Sequence, residues 1–204
     1  MHKRHLISLL AVLLMLIIVD WPVLATIDVG GEALEYFPLK ARNYWAYKVS
    51  LPDNKAYSQI VLVNSNSGQD IRTVVFINQM PQMEVVYKSD GQGLFRTKQI
   101  SAEGVNTLSP MQTVLPSEVS LGSVWSWEAT EGPGKEIAKV VSFEKVTVPV
   151  GTFEALLVQY EGVFNDGVAY SEKTWFVKGV GYVKAVTTVG GTTITKELLD
   201  YEVN

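Results

Sequence analysis

The sequence predicts an all-β domain of about ten antiparallel strands, arranged as a barrel, a half-barrel or a two-sheet sandwich. Three observations support this fold class. Apolar residues alternate or form short runs, and turn residues interrupt them at intervals of roughly 8–12 positions. Beyond the N-terminus, no window combines a helical period with an N-cap. Segments such as 60–63 and 74–77 are apolar on both faces, so these strands need cover on each side.

The predicted strands follow one another along the chain, and Gly, Pro, Asn and Asp mark the turns between them. Gly91 and Gly93 indicate a hairpin because glycine tolerates a positive φ. Gly190 and Gly191 predict another hairpin, between the last two strands. The predicted strands cover residues 44–50, 57–64, 71–79, 83–88, 94–100, 123–129, 137–148, 153–163, 168–178, 181–188 and 192–201.

One segment interrupts this series, at residues 101–118. It contains Gly104, Pro110 and Pro116, and it has no clear period. Because it is long for a connection within a compact domain, we expect a flap, a barrel plug or a short helix there.

A weak internal echo links the two halves of the chain. Pro38 precedes the aromatic segment 43–47, and Pro116 precedes the aromatic segment 123–127. The spacing differs between the two copies, so convergent chemistry at strand starts explains the echo better than duplication.

Composition excludes several classes of function. The chain has 204 residues, of which 47% are hydrophobic and 19% charged, with a formal net charge of −4 and no cysteine. The length suits one domain, and the apolar content excludes a disordered chain. The acidic balance argues against a nucleic-acid partner, which needs clustered Lys and Arg. Without cysteine, disulfides, thiolate metal sites and a lipidated N-terminal Cys are excluded.

The N-terminus has the features of a secretory signal peptide. We predict the signal at residues 1–25 and a single exported β domain at residues 26–204. A positive stretch is followed by an apolar run of 14 residues, 6–19, which is shorter than the roughly 20 residues of a membrane-spanning helix. Small-residue positions at 23–25 suit cleavage. An uncleaved membrane anchor is the alternative. We expect a soluble periplasmic or extracellular protein that meets the membrane only during export.

Cleavage would leave few groups for catalysis, because it removes His2 and His5, the two histidines. A chain with neither His nor Cys cannot use a Ser-His-Asp triad, a Cys-His pair or imidazole-bound zinc. We therefore expect no catalytic residue, no metal site and no cofactor. Acidic side chains could pair as in a glycosidase, but positions in or beside turns favour a solvated face. They are Glu128, Glu131, Glu136, Glu144, Glu154, Glu161, Asp166 and Glu172.

Aromatic residues are the candidate ligand-binding residues. Residues two apart on a strand share a face, so Trp45 with Tyr47, and Trp125 with Trp127, form two aromatic ladders. Trp175 lies on another predicted strand. Such rings can stack on sugars or form an apolar wall for a lipid, whereas the alternative is core packing.

Three stretches together resemble the TapB-like family of exported bacterial proteins, which is related to domain of unknown function 3108. They are YFPLK leading to NYWAY at residues 36–47, VTVPVGTF at 146–153 and WFVKGVGYVK at 175–184. The resemblance spans about residues 34–202 and implies a β-rich exported domain, without implying an activity. Arg42 stands where a Gly usually opens the first motif, whereas Gly122 keeps that residue in the second half. If that Gly provides a positive φ, we expect a different turn at Arg42.

The sequence thus favours a non-enzymatic envelope domain that binds an apolar or amphipathic ligand, or an envelope partner, in a β-walled cavity. The alternatives are a structural or protein-interaction module and a carboxylate-dependent glycan hydrolase. The expected partners are a lipid or another apolar ligand, or an envelope protein, and not a nucleic acid.

Overall fold

The computed structural model describes residues 31–67 and 70–204, and it is almost entirely β. Twelve antiparallel strands form one sheet that curves into a nearly closed barrel. The predicted all-β class is therefore confirmed. The proposed signal peptide, residues 1–25, lies outside the described residues.

The elements follow the chain in a simple order. They are β1 (Gly31–Glu32), α1 (Ala33–Tyr36), β2 (Tyr44–Ser50), β3 (Ala56–Asn66), β4 (Ile71–Ile77), β5 (Met80–Asp90), β6 (Gly93–Ser101), β7 (Gly104–Pro116), β8 (Glu118–Val119), β9 (Val124–Glu128), β10 (Lys135–Val148), β11 (Gly151–Val163), β12 (Ala169–Val177), β13 (Gly181–Val189) and β14 (Thr192–Glu202). The order in the large sheet is β7-β6-β5-β4-β3-β2-β14-β13-β12-β11-β10-β9, and β1 pairs with β8.

This order divides the barrel into two six-stranded meanders, β2–β7 and β9–β14, with β2 beside β14. Each meander begins with the same main-chain contact. The Arg42 amide donates to the Val63 carbonyl at 2.9 Å, and the Gly122 amide donates to the Val140 carbonyl at 3.0 Å. The short strands that precede the two meanders pair with each other. The echo in the sequence therefore falls at equivalent positions in two similar halves. The similarity extends further than the convergent chemistry at strand starts that we expected.

The turn at Arg42 does not differ from its counterpart, so that expectation is wrong. Arg42 has a φ of 75°, and Gly122 has a φ of 87°. Arg42 thus takes the left-handed conformation in spite of its Cβ, which costs roughly 1–2 kcal/mol in a non-glycine residue.

The predicted flap, plug or helix at residues 101–118 is also wrong. Most of this segment is β7, which pairs with β6 from Gly104 to Pro116. Register shifts in this pairing and the exposed edge of the strand interrupt the two-residue period, which hides the strand in the sequence. The predicted hairpin at Gly190 and Gly191 is confirmed, with φ values of 55° and 80°.

A different segment plugs the barrel. Residues 33–39, hereafter the plug, cover the end where β12 turns into β13, and Tyr36, Phe37 and Leu39 are buried there. The Gly179 amide in that turn donates to the Glu35 carbonyl of the plug at 2.7 Å. The other end, the mouth, carries the turns at 51–55, 78–79, 102–103, 129–134, 164–168 and 190–191.

Two indole groups bridge the edges of the sheet, β7 and β9, which form no ladder with each other. Trp127 Nε1 donates to the Pro110 carbonyl at 2.7 Å, and Trp125 Nε1 donates to the Thr113 carbonyl at 3.3 Å. These bonds satisfy edge carbonyls that lack a partner strand, and they hold the barrel nearly closed.

Candidate functional site

A cavity of about 590 Å³ lies inside the barrel between the plug and the mouth. Strands of both meanders line it, and Asn165 and Asp166 in the β11–β12 turn reach it from the mouth. The volume lies within the roughly 300–1,000 Å³ typical of small-molecule sites.

The floor of the cavity is aromatic. Phe37 of the plug meets Tyr87 and Tyr182 edge-on, with ring centroids 6.0 and 5.7 Å apart. Phe176 meets Tyr182 in a similar way at 6.3 Å. Since Phe37, Tyr87 and Phe176 are buried, an apolar group that reaches this floor would lose its contact with water.

One wall of the cavity is aliphatic. Strand β4 places Thr73 and Val75 on the inner face because residues two apart share a face, and β3 and β5 contribute Val61, Met83 and Val85. The polar side chains on this wall are Gln59 of β3 and Thr73, whose hydroxyl contacts the Val85 carbonyl at 3.4 Å.

The adjoining wall is polar, and Arg96 lies on it, on the strand next to β5. Arg96 of β6 pairs in register with Gln112 of β7, and both side chains line the cavity. The Arg96 Nε is buried and has no hydrogen-bond partner among the described residues. A buried donor without a partner costs about 1–3 kcal/mol, so this group is ready to receive an acceptor.

Glu136 faces Arg96 from β10 and carries a perturbed pKa. Burial raises the pKa of Glu136, although contacts with Tyr170, Arg96 and Gln112 oppose the shift and Glu172 adds to it. The Tyr170 hydroxyl donates a short hydrogen bond to Glu136 Oε2. Burial and the neighbouring Glu136 carboxylate in turn raise the pKa of Tyr170.

A second carboxylate, Glu172 of β12, is held by two hydroxyl groups. Thr174 Oγ1 donates to Glu172 Oε1 at 2.8 Å, and Thr187 Oγ1 donates to Oε2 at 2.7 Å. The cation Lys196 also lines the cavity, and its Nζ lies 5.6 Å from the ring centroid of Tyr182. With Asp166 at the mouth, the cavity is thus lined by two basic and three acidic groups.

The structure places the five aromatic candidates at four different locations. Trp127 lines the cavity, and Trp125 lies at the β7–β9 edge, edge-on to Tyr160 with centroids 6.1 Å apart. Trp45 and Tyr47 are fully buried below the cavity, near the plug.

The buried pair makes contacts of a packed core. Trp45 Nε1 donates to the Val180 carbonyl at 2.6 Å, and Tyr47 stacks on Tyr182 with centroids 4.7 Å apart. Trp175 lies on the outer face, where its Nε1 donates to Glu144 at 2.9 Å. Of the five candidates, Trp127 is thus the one whose side chain lines the cavity.

The polar residues of the cavity were missed by the sequence analysis. Six of the eight acidic residues considered there are exposed, but Glu136 and Glu172 face the interior, which corrects the assignment of these two to a solvated face. Tyr170, Glu172 and Thr174 do share one face by their spacing. That pattern does not say which face is the inner one, because the neighbouring strands are apolar on both faces.

Within residues 31–67 and 70–204, no helix has the length and hydropathy of a membrane span. Within the same residues, no group of three or more His, Cys, Asp or Glu side chains is arranged to hold a metal ion.

The fold and the site define a nearly closed, plugged β-barrel with an amphipathic interior cavity. No family model matches the chain. No curated protein matches it either. Two solved structures are similar. One is a "putative lipoprotein" from Parabacteroides distasonis, with 13% identity and a TM-score of 0.47, covering 80% of this chain and 98% of that one. The other is a "putative exported protein with YmcC-like fold" from Bacteroides fragilis, with 10% identity and a TM-score of 0.42, covering 80% and 96%.

Proposed function

We propose that this chain is an exported, non-enzymatic binding protein that holds an amphipathic small molecule inside its barrel. The observation that carries the proposal is the division of the 590 Å³ cavity into an aromatic and aliphatic part and a polar part. A ligand that fills it would bury its apolar portion against the floor and would present polar atoms to the wall of Arg96, Glu136 and Tyr170. Binding sites for small molecules commonly combine apolar walls with a few convergent polar groups.

Export is the part of the proposal that depends on the sequence. Its support is the charged and apolar pattern of residues 1–25. The resemblance to the TapB-like family agrees with export and stays a prediction. Native mass spectrometry of the protein purified from its own exported fraction tests both parts. A chain that begins near residue 26 and carries a releasable small molecule would support the proposal. An intact residue 1 would contradict signal cleavage.

A direct binding test uses a neutral apolar probe, N-phenyl-1-naphthylamine, whose fluorescence rises in apolar surroundings. We expect saturable binding to the wild-type protein. Ala185 lines the cavity and is 6% exposed, so Ala185→Phe should fill the space and abolish binding. Val186→Phe is the matched control, because the adjacent side chain points to the other face of β13.

Both variants must first show a wild-type circular dichroism spectrum. If Ala185→Phe does not fold, Val75→Phe tests the same cavity from the aliphatic wall. Probe binding that survives filling of the cavity would place the ligand elsewhere and would refute the proposed site.

Hydrolysis of glycans is a second candidate function, favoured by the two interior carboxylates. Glu136, whose pKa is raised by burial, has the environment of a general acid, whereas Glu172 is stabilised by two hydroxyl donors. Most glycosidases use two catalytic carboxyl groups that lie in contrasting environments. Release of nitrophenol from aryl glycosides, lost in both Glu136→Gln and Glu172→Gln, would support this function over simple binding. No release by the wild-type protein would leave binding alone.

A further inference from the structure

We propose that the ligand of the cavity is an acidic amphiphile, a molecule with an apolar chain and a carboxylate or phosphate group, and that Arg96 binds the acidic group. This inference rests on the proposed binding function and adds the chemistry of the ligand. It also assigns a specificity-determining role to a residue that no sequence motif contains.

Arg96 presents an unsatisfied donor to the cavity. Its side chain lines the cavity, and its Nε is buried without a hydrogen-bond partner among the described residues. A guanidinium carries five N–H donors in a planar fork that matches the two oxygens of a carboxylate or phosphate. A ligand that brings a hydrogen-bond acceptor into the cavity would therefore satisfy the Arg96 Nε–H.

Other donors engage the protein's own carboxylates in the cavity. Glu136 accepts the Tyr170 hydroxyl, and Glu172 accepts two threonine hydroxyls, one on each oxygen. The third carboxylate, Asp166, accepts the Val168 amide. No ion pair within 4.0 Å joins Arg96 to any of these carboxylates in the described part of the chain. Arg96 thus keeps its charge and its Nε–H for an incoming anion.

Arg96 also lies beside the apolar part of the cavity. It is in register with Tyr87 of β5, whose ring forms part of the floor with Phe37. An acid bound at Arg96 would have its chain against the floor and the aliphatic wall, where few polar groups compete for it. The second cation, Lys196, faces the same space, so two basic groups stand against the three carboxyl groups that line the cavity.

Displacement of N-phenyl-1-naphthylamine measures the affinity of three ligands with the same chain: dodecanoate, dodecyl phosphate and dodecan-1-ol. Each is used below the concentration at which it forms micelles. We expect the wild-type protein to bind at least one of the two acids about tenfold or more tightly than the alcohol, since hydrogen bonds to charged groups are the stronger ones. A preference for one acid over the other identifies a carboxylate or a phosphate ligand.

Variants of Arg96 test the assignment. Arg96→Gln should weaken binding of the preferred acid by about ten- to a hundredfold and should change dodecan-1-ol binding by less than about twofold. Arg96→Lys keeps the charge but lacks the fork, so its affinity should lie between the two, and it serves as the test if the Gln variant does not fold. Arg72→Gln is the matched control, because Arg72 lies on the outer face and bonds to Glu84.

The outcomes separate the two proposals. Equal binding of acid and alcohol by the wild-type protein, or an equal loss of both in Arg96→Gln, would refute the role of Arg96 and leave the binding function in place. If the probe, the acids and the alcohol all fail to bind, the binding function itself is refuted.

Discussion

The turn at Arg42 provides a test of backbone strain, because the other half of the barrel has an equivalent turn with glycine in the same place. Arg42 and Gly122 occupy equivalent turns and share a left-handed conformation, with φ values of 75° and 87°. Arg42 is exposed, and a Cβ added at Gly122 would meet no atom within 4 Å. Substitution at either position therefore changes conformational preference and hardly changes packing.

The magnitude follows from two opposing effects. Relief of left-handed strain in Arg42→Gly stabilises the folded state by about 1–2 kcal/mol. The added freedom of glycine in the unfolded chain costs about 0.4–1 kcal/mol. We expect a net gain of about 0.5–1 kcal/mol, and about the reverse for Gly122→Ala. In a chain of this size, 1 kcal/mol shifts Tm by about 2–4 °C.

Thermal and urea unfolding, followed by circular dichroism, measure both variants and the double variant. Because the turns lie apart, the two effects should add in the double variant. A stabilising Gly122→Ala, or an Arg42→Gly that lowers Tm, would refute the argument that the left-handed conformation is what makes these positions sensitive.

Two further predictions concern the cavity and the closed end of the barrel. Burial raises the pKa of folded Glu136 above its ordinary value of 4.5, so the folded state holds this proton more tightly, and stability falls as pH rises through that interval. Glu136→Gln keeps an acceptor for Tyr170 and removes this pH-dependent loss of stability. The Tm of the variant relative to that of the wild type should therefore rise from pH 4 to pH 8. A constant difference in Tm would contradict the raised pKa of Glu136. Gly181 has a φ of 113°, and a Cβ there would lie 2.8 Å from Trp45 Nε1, so Gly181→Ala should cost about 2–4 kcal/mol. Gly191→Ala, with a φ of 80° and open space, should cost about 1 kcal/mol, and equal losses in urea unfolding would exclude the clash.

The first and the closing resemblance motifs meet in space, which explains their composition. Trp45 from the first motif donates to Val180 in the closing motif, and Gly181 there approaches the same indole ring. The central motif turns tightly between Val148 and Gly151, where β10 passes into β11. These Gly, Pro and aromatic residues build turns and the closed end of the barrel, so their pattern predicts the fold and says little about the ligand.

The sequence identifies the aromatic candidates but does not show which of them line the cavity and which pack in the core. The two-residue spacing correctly places Trp45 and Tyr47 on one face, and Trp125 and Trp127 on one face. Whether such a face packs against a plug or lines a cavity depends on what lies opposite, which is set by contacts between residues distant in the sequence. Trp45, for example, is buried through Val180, which is 135 positions away.

The amino-acid pattern suffices to predict the all-β class, the main hairpins and the exclusion of histidine and cysteine chemistry from the part of the chain beyond residue 25. These properties depend on local preference and on composition, which need no knowledge of distant partners. Three other features depend on tertiary contacts: the strand at residues 104–116, the plug at 33–39 and the inner face that brings Arg96 to Glu136. The physical reason is that alternation along a strand defines two faces but not which of them is inside. In this barrel that choice is made by closure of the sheet and by the plug that covers one end.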